Sequence, residues 1–168
     1  MSFINHLLNH LSSRYSYLDE AYKPKVWYHT TPHHFEKFDV TKSDLGAHFG
    51  SLEQANHIKT NRLSNRDSRT IKANLSIYNP LRLKDVGSFH ADNISDQLFK
   101  KHLITKEDHQ KYTAQGAHNH RKEYNQEVRK TLLKHGYDGV VYTNTNEGRG
   151  SSMIAIDPET IHILGHTT

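Results

Sequence analysis

Apolar residues recur at helical spacing over residues 3–18. Ile4, Leu7, Leu8, Leu11, Tyr15 and Leu18 share one stripe, with Asn and His opposite, the pattern of an amphipathic helix. Lys23-Pro24 leads into residues 25–29, where Val, Trp and Tyr predict a strand, and Thr30-Thr31-Pro32 turns the chain out of it. Phe35 and Phe38 anchor a short connection. Residues 46–50, bracketed by glycines, predict a second short strand. Ser51 then caps a helix running to about Arg62, with Glu53 and Gln54 in its first turn. On that helix Leu52, Ala55 and Ile58 are expected to face the core, while Gln54, His57 and Asn61 share another face.

The clearest alternation lies over residues 70–78: Ile71, Ala73, Leu75 and Ile77 interleave with Lys72, Asn74, Ser76 and Tyr78 until Asn79-Pro80 stops the strand. Residues 92–111 read as a weak helix held by Ile94, Leu98, Leu103 and Ile104. After Gly116, a stronger helix over 121–135 buries Tyr124, Val128 and Leu132 and ends at Gly136. Strands over 139–143 and 152–156 flank the polar, glycine-rich loop 144–151, and a last strand over 160–164 follows the Asp157-Pro158 turn. Strands and helices mix without regular βαβ alternation, which predicts an α+β fold. No linker interrupts the pattern, so residues 1–168 are expected to form one domain, with 1–22 as the N-terminal helix and its lead-in.

Composition narrows the function classes. With 34% hydrophobic and 24% charged residues, the chain is polar but suited to a packed core. No apolar run approaches 18 residues, so no membrane span is expected. Asn5, His6, Asn9 and His10 interrupt the first apolar stretch, and no basic segment precedes it, so no signal peptide is expected. A cytoplasmic location, in the producing or a target cell, follows as the expectation. The absence of cysteine removes disulfides and thiolate metal sites. The fifteen histidines contain no H-E-x-x-H pattern, and His118-Asn119-His120 lacks metal-ligand spacing and reads as a solvated loop or helix start. No metal is expected. A formal charge of +4 permits an anionic partner such as NAD⁺ phosphates or nucleic acid without requiring one.

Several segments, in order, resemble the ADP-ribosyltransferase fold. Trp27-Tyr28-His29-Thr30-Thr31 is similar to the Tyr-His-Gly-Thr/Ser end of that fold's first strand. Gly46-Ala47-His48-Phe49-Gly50 resembles the Gly-x-Tyr-Phe-Ala strand of the branch holding diphtheria toxin and the poly(ADP-ribose) polymerases. The helix of residues 51–58 resembles the one after that strand. Gly136-Tyr137-Asp138-Gly139-Val140-Val141-Tyr142, Glu147-Gly148 and Ser151-Ser152-Met153-Ile154-Ala155-Ile156-Asp157-Pro158 resemble the closing strands of phage- and mobile-element-associated members. The matches span roughly half the chain. They imply a split pair of small, mostly antiparallel sheets around an NAD⁺ cleft, with helices at the periphery.

The resemblance also implies chemistry: cleavage of the nicotinamide–ribose bond of NAD⁺ and transfer of ADP-ribose to a macromolecular acceptor, protein or nucleic acid. The expected transition state carries oxocarbenium-like positive charge, so the site must hold the carboxamide, fix the ribose hydroxyls and place negative charge nearby. As a residue alone, His29 reads as a half-buried strand histidine pairing with a backbone carbonyl; the surrounding motif reverses that, and by resemblance His29 would bond a ribose hydroxyl. The backbone N–H and C=O of Thr30, where the family commonly has Gly, would grip the carboxamide, although its Cβ narrows the approach. Phe49 and His48 join the NAD⁺-binding set, with His48 facing either the cleft or solvent. His57 falls at the family's nicotinamide-stacking position, or else is an exposed helix residue.

The toxin and polymerase branch begins its closing strand with Glu, and this chain has Ser152 there. The acid expected in its place is Glu147, which otherwise is a solvated loop carboxylate. Arg149 beside it would contact phosphate or balance that charge, and Gly148 and Gly150 suggest a loop that orders on substrate binding. Two other functions stay in view: a non-catalytic NAD⁺- or partner-binding module of this fold, and an RNA 2′-phosphotransferase. The second is weakened because no Arg sits near the second-strand motif. Oligomeric state is left unassigned.

Overall fold

The computed structural model describes residues 26–63, 67–148 and 150–167; the expected helix over 3–18 and Arg149 lie outside them. Strand β1 (Trp27–Thr31) pairs antiparallel with β3 (Arg69–Leu75), which pairs antiparallel with β7 (Ile161–Thr167). A second sheet runs in the order β2 (Ala47–Phe49), β6 (Gly150–Ala155), β5 (Gly139–Asn144), β4 (Pro80–Arg82). The sheets are joined where Tyr28 and Gly50 exchange two backbone hydrogen bonds of 3.0 and 2.9 Å. Four α-helices complete the described chain: α1 (Leu52–Asn61), α2 (Ala91–Lys100), α3 (Lys106–Thr113) and α4 (Arg121–Lys134). The fold is the expected α+β arrangement of two small, mostly antiparallel sheets.

The pleat of the four-stranded sheet builds two cores. Successive side chains point to opposite faces, so Val140, Tyr142 and Ile154 pack with Ile94, Leu98, Val128 and Leu132 of the helices. Val141, Met153 and Ala155 on the other face meet Trp27, Ile71 and Ala73 of the three-stranded sheet. Both faces are covered, which is why residues 139–142 and 152–156 read as continuous buried runs rather than alternating ones.

The structure corrects several boundaries. Strand β1 continues through Thr30 and Thr31, which were expected to turn, because both pair with β3 opposite Thr70 and Arg69. Strand β3 stops at Leu75, short of residue 78, and Pro80 opens the short strand β4, parallel to β5 and the one parallel pair among the described residues. Strand β6 begins at Gly150, so Ser152 is its third residue. The helix expected over 92–111 is two helices. His102 adopts φ 56°, and Thr105 caps α3 through a reciprocal box with Asp108. On α1 Leu52 is 48% exposed rather than in the core, and Gln54 is buried beside Ala55. Helix α4 ends as expected before Gly136, at φ 81°.

Candidate active site

The junction between the two sheets opens into a cleft of about 460 Å³, within the size of small-molecule sites. One wall comes from β1, the end of β2 and α1: Tyr28, His29, Thr30, Phe49, Ala55 and Ile58. Ser51 caps α1 by accepting from Gln54 N at 3.2 Å, and Gln54 Oε1 returns a bond from Ser51 N at 2.8 Å, a box of the Ser-x-x-Gln kind.

His29 is the centre of this wall. Its ring lies 5.1 Å from Phe38 and 5.6 Å from Phe49, centroid to centroid, with Phe35 at 6.4 Å. Nδ1 is 2.7 Å from the carbonyl oxygen of His48. A carbonyl only accepts, so Nδ1 carries the proton and Nε2 is left as an acceptor. Burial among these rings pushes the His29 pKa down to about 4, so the ring is neutral at pH 7. The carbonyl bond and the place on the cleft wall therefore hold together.

Thr30 places its backbone at the same edge. Tyr28 N–H and C=O point to Gly50; by the two-residue repeat of a strand those of Thr30 point to the same side, where Thr30 lines the cleft. Its side chain is turned into the fold, where Oγ1 donates to the Ala55 carbonyl at 3.0 Å and lies 3.0 Å from Thr70 Oγ1. The β-carbon expected to narrow the approach is thus packed against α1.

The opposite wall holds the polar groups. His48 lines the cleft, with Nε2 2.7 Å from Asp44 Oδ1 and Nδ1 3.2 Å from the Tyr142 hydroxyl. Burial pushes the Asp44 carboxyl up, but the hydrogen bond and charge of His48, with the N–H groups of Phe89 and Leu45, outweigh it and hold the pKa at about 2. Burial also raises the pKa of the Tyr142 phenol, which stays protonated. The segment carrying Asp44 is tied down by Arg129 of α4, whose Nη1 donates to the carbonyls of Val40, Asp44 and Leu45.

Glu147 and Ser152 line the same cleft. Glu147 is mostly enclosed, its side chain 16% exposed, and is not a solvated loop carboxylate. Oε2 accepts from Asn144 Nδ2 at 3.0 Å, and Oε1 lies 2.5 Å from Arg62 Nη1. The loop is tied further by Asp85, which accepts from Thr145 N at 3.3 Å, and by Gln54 Nε2, 3.5 Å from the Gly148 carbonyl. Gly148 itself sits at φ 112°, a conformation that L side chains rarely adopt. Ser152 is 2% exposed, and its hydroxyl lies between Asn144 and Gln54 and also meets the Tyr142 phenol.

His29, Thr30, His48, Phe49, Glu147 and Ser152 are thus brought to one cleft; His57 is not among its lining residues. Helix α1 presents Gln54, Ala55 and Ile58 to the cleft, and its C-cap residue Arg62 joins them. At 100° per residue His57 lies on an adjoining face, so the stacking role expected of it has no support here. Asp44, Gln54, Arg62, Tyr142 and Asn144 were not singled out for the site from sequence. The Ser51-x-x-Gln54 box was the one local signal for any of them.

A family model described as ADP-ribosyltransferase in polyvalent proteins matches residues 19–164. The match covers most of the chain and both walls of the cleft. The chain belongs to this family. No curated protein and no solved structure matches it. As an ADP-ribosyltransferase domain the chain is of the transferase class, and the family uses NAD⁺ as substrate with an acceptor for the ADP-ribosyl group. Among the described residues no helix is long and apolar enough to cross a membrane.

Proposed function

We propose that this cleft cleaves the nicotinamide–ribose bond of NAD⁺ and transfers one ADP-ribosyl group to a macromolecular acceptor. The observation that carries the reading is the enclosed Glu147 carboxylate in the same cleft as His29 and Thr30. In this mechanism the Thr30 N–H and C=O hold the carboxamide, and Ala55 and Ile58 supply apolar surface beside it. His29 Nε2 accepts from a ribose hydroxyl. The C–N bond breaks with its electron pair leaving on nicotinamide, and positive charge develops across C1′ and the ring oxygen. Glu147 stabilises that charge and accepts from the ribose 2′-hydroxyl. A lone pair of the acceptor attacks C1′, and the acceptor's proton is released; water in that place gives ADP-ribose and free nicotinamide.

Two bonds to Glu147 do not disqualify it, since a carboxylate has about four acceptor sites. Incubation of the protein with radiolabelled NAD⁺ and a cell lysate tests the proposal: free nicotinamide and label attached to macromolecules are expected together. Nicotinamide without attached label reduces the activity to NAD⁺ hydrolysis, and NAD⁺ binding without nicotinamide release makes the domain a binding module.

A further inference from the structure

Asn144, at the end of β5, has a disposition that the proposed chemistry has not yet used. It is 3% exposed. Its Oδ1 accepts from Asn146 N at 3.0 Å and from Glu147 N at 2.9 Å. Two backbone donors on one oxygen fix which way the amide points. Nδ2 must therefore face the other way, and there it donates to Glu147 Oε2 at 3.0 Å and to Ser152 Oγ at 3.2 Å. Ser152, receiving from Asn144, donates to Gln54 Oε1 at 3.3 Å, an oxygen whose identity is set in turn by the Ser51 N–H. The result is a one-way chain of buried bonds, donor to acceptor, from Asn144 on β5, through Ser152 on β6, to Gln54 on α1.

We infer that Asn144 is the positioning residue for the Glu147 carboxylate, and that Ser152 and Gln54 serve to hold Asn144. This rests on the reading of Glu147 as the acid of the NAD⁺ reaction. One side chain grips Glu147 at both ends: its oxygen shapes the turn that carries the residue, and its nitrogen holds the carboxylate. The β5–β6 register, with Tyr142 opposite Ser152 and Asn144 opposite Gly150, fixes the platform on which this happens. An amide here donates to the carboxylate without neutralising it, so the negative charge remains available to the reaction. It also explains the neutral residue at 152: a carboxylate there would face the Gln54 oxygen, acceptor against acceptor.

The test is Asn144→Asp, which keeps the shape and the acceptor for the two N–H groups while replacing the donor with a negative charge. Single-turnover nicotinamide release at saturating NAD⁺ is expected to slow by about tenfold or more, while NAD⁺ affinity by calorimetry changes by no more than about twofold. In a Glu147→Gln background the same substitution is expected to cause no further slowing, a non-additivity that marks two residues acting as one unit. Asn144→Ser retains a short acceptor for the turn and carries the test if a thermal melt shows the aspartate variant unfolded. Full-rate release by the folded Asn144 variant while Glu147→Gln is slow overturns the inference. So do losses that multiply in the double variant, or affinity lost as strongly as rate. If the unmutated protein releases no nicotinamide, or Glu147→Gln is as fast as it, the assignment of the reaction or of its acid fails first and this inference falls with it.

Discussion

Two of the cleft histidines, His29 and His48, stand nineteen positions apart in opposite surroundings. His29 sits among three phenylalanine rings, bonded to a backbone carbonyl and kept neutral by desolvation. His48 bonds an ionised carboxylate and a phenol, in a wall where nearly every group is polar and partnered. Under the proposed reaction the contrast would divide the labour of the cleft. The His29 wall offers shape, apolar surface and unpaired backbone groups, the means of binding a ligand in one pose. The Glu147 wall offers fixed charge backed by buried amides, the means of stabilising charge that appears only in a transition state. The first wall is expected to govern affinity and the second rate.

The comparison breaks most readily at the apolar wall. Phe49→Ala removes a fully buried ring that touches both His29 and Phe38, and is expected to cost about 3–5 kcal/mol of stability, read from urea unfolding; a loss under about 1 kcal/mol would mean that the wall is not packed as described. Next comes acidification. His29 has a folded pKa of about 4 against an ordinary 6.5, so between those values the unfolded chain binds a proton that the folded chain does not. Stability is expected to fall as pH drops from 6.5 towards 4, by on the order of 3 kcal/mol from this residue, with a shallower slope in His29→Gln. Asp44, held at about 2 against 3.8, contributes stability that is present above pH 3.8 and lost only below it. Equal pH slopes in the unmutated protein and in His29→Gln would place the histidine in water.

Smaller effects sharpen the division. His29→Ala is expected to weaken NAD⁺ binding by about 1–2 kcal/mol, the scale of a hydrogen bond in a desolvated site, with calorimetry as the readout; unchanged affinity would remove the ring from the binding wall. Ser152→Ala is expected to cost the least, about 1 kcal/mol in stability or turnover, since only a neutral hydroxyl is lost from the chain of bonds. A loss of rate larger than that of Glu147→Gln would make Ser152 itself the reacting group.

Much of the scaffold was legible because local rules and the fold agree. The alternation around Ile71 and Ala73, the Ser51 cap and the stop at Gly136 are all decided within a few residues. Strand β4 was not legible: three residues after a Pro turn become a strand only because β5 runs beside them. The pattern over 92–111 reads as one helix because the apolar spacing of Leu98, Leu103 and Ile104 runs on to the point where Thr105-x-x-Asp108 starts a new one. The site was legible where a strand carries it, since pleating puts His29, Thr30 and His48 in place. It was less so on α1, where a single residue rotates the face by 100° and separates Ile58 in the cleft from His57 outside it. Asn144 was hidden for another reason. An asparagine before a turn is ordinary, and its bonds to Ser152 and Glu147 exist only once β5 and β6 are paired.

The most direct test of the division between walls is the rate of nicotinamide release in a single turnover by Glu147→Gln, measured alongside its affinity for NAD⁺. The substitution keeps the shape and removes the charge. Release is expected to slow by about 10²-fold or more, with affinity almost unchanged. Release at the unmutated rate, or affinity lost in step with rate, would contradict the assignment of bond breaking to the Glu147 wall.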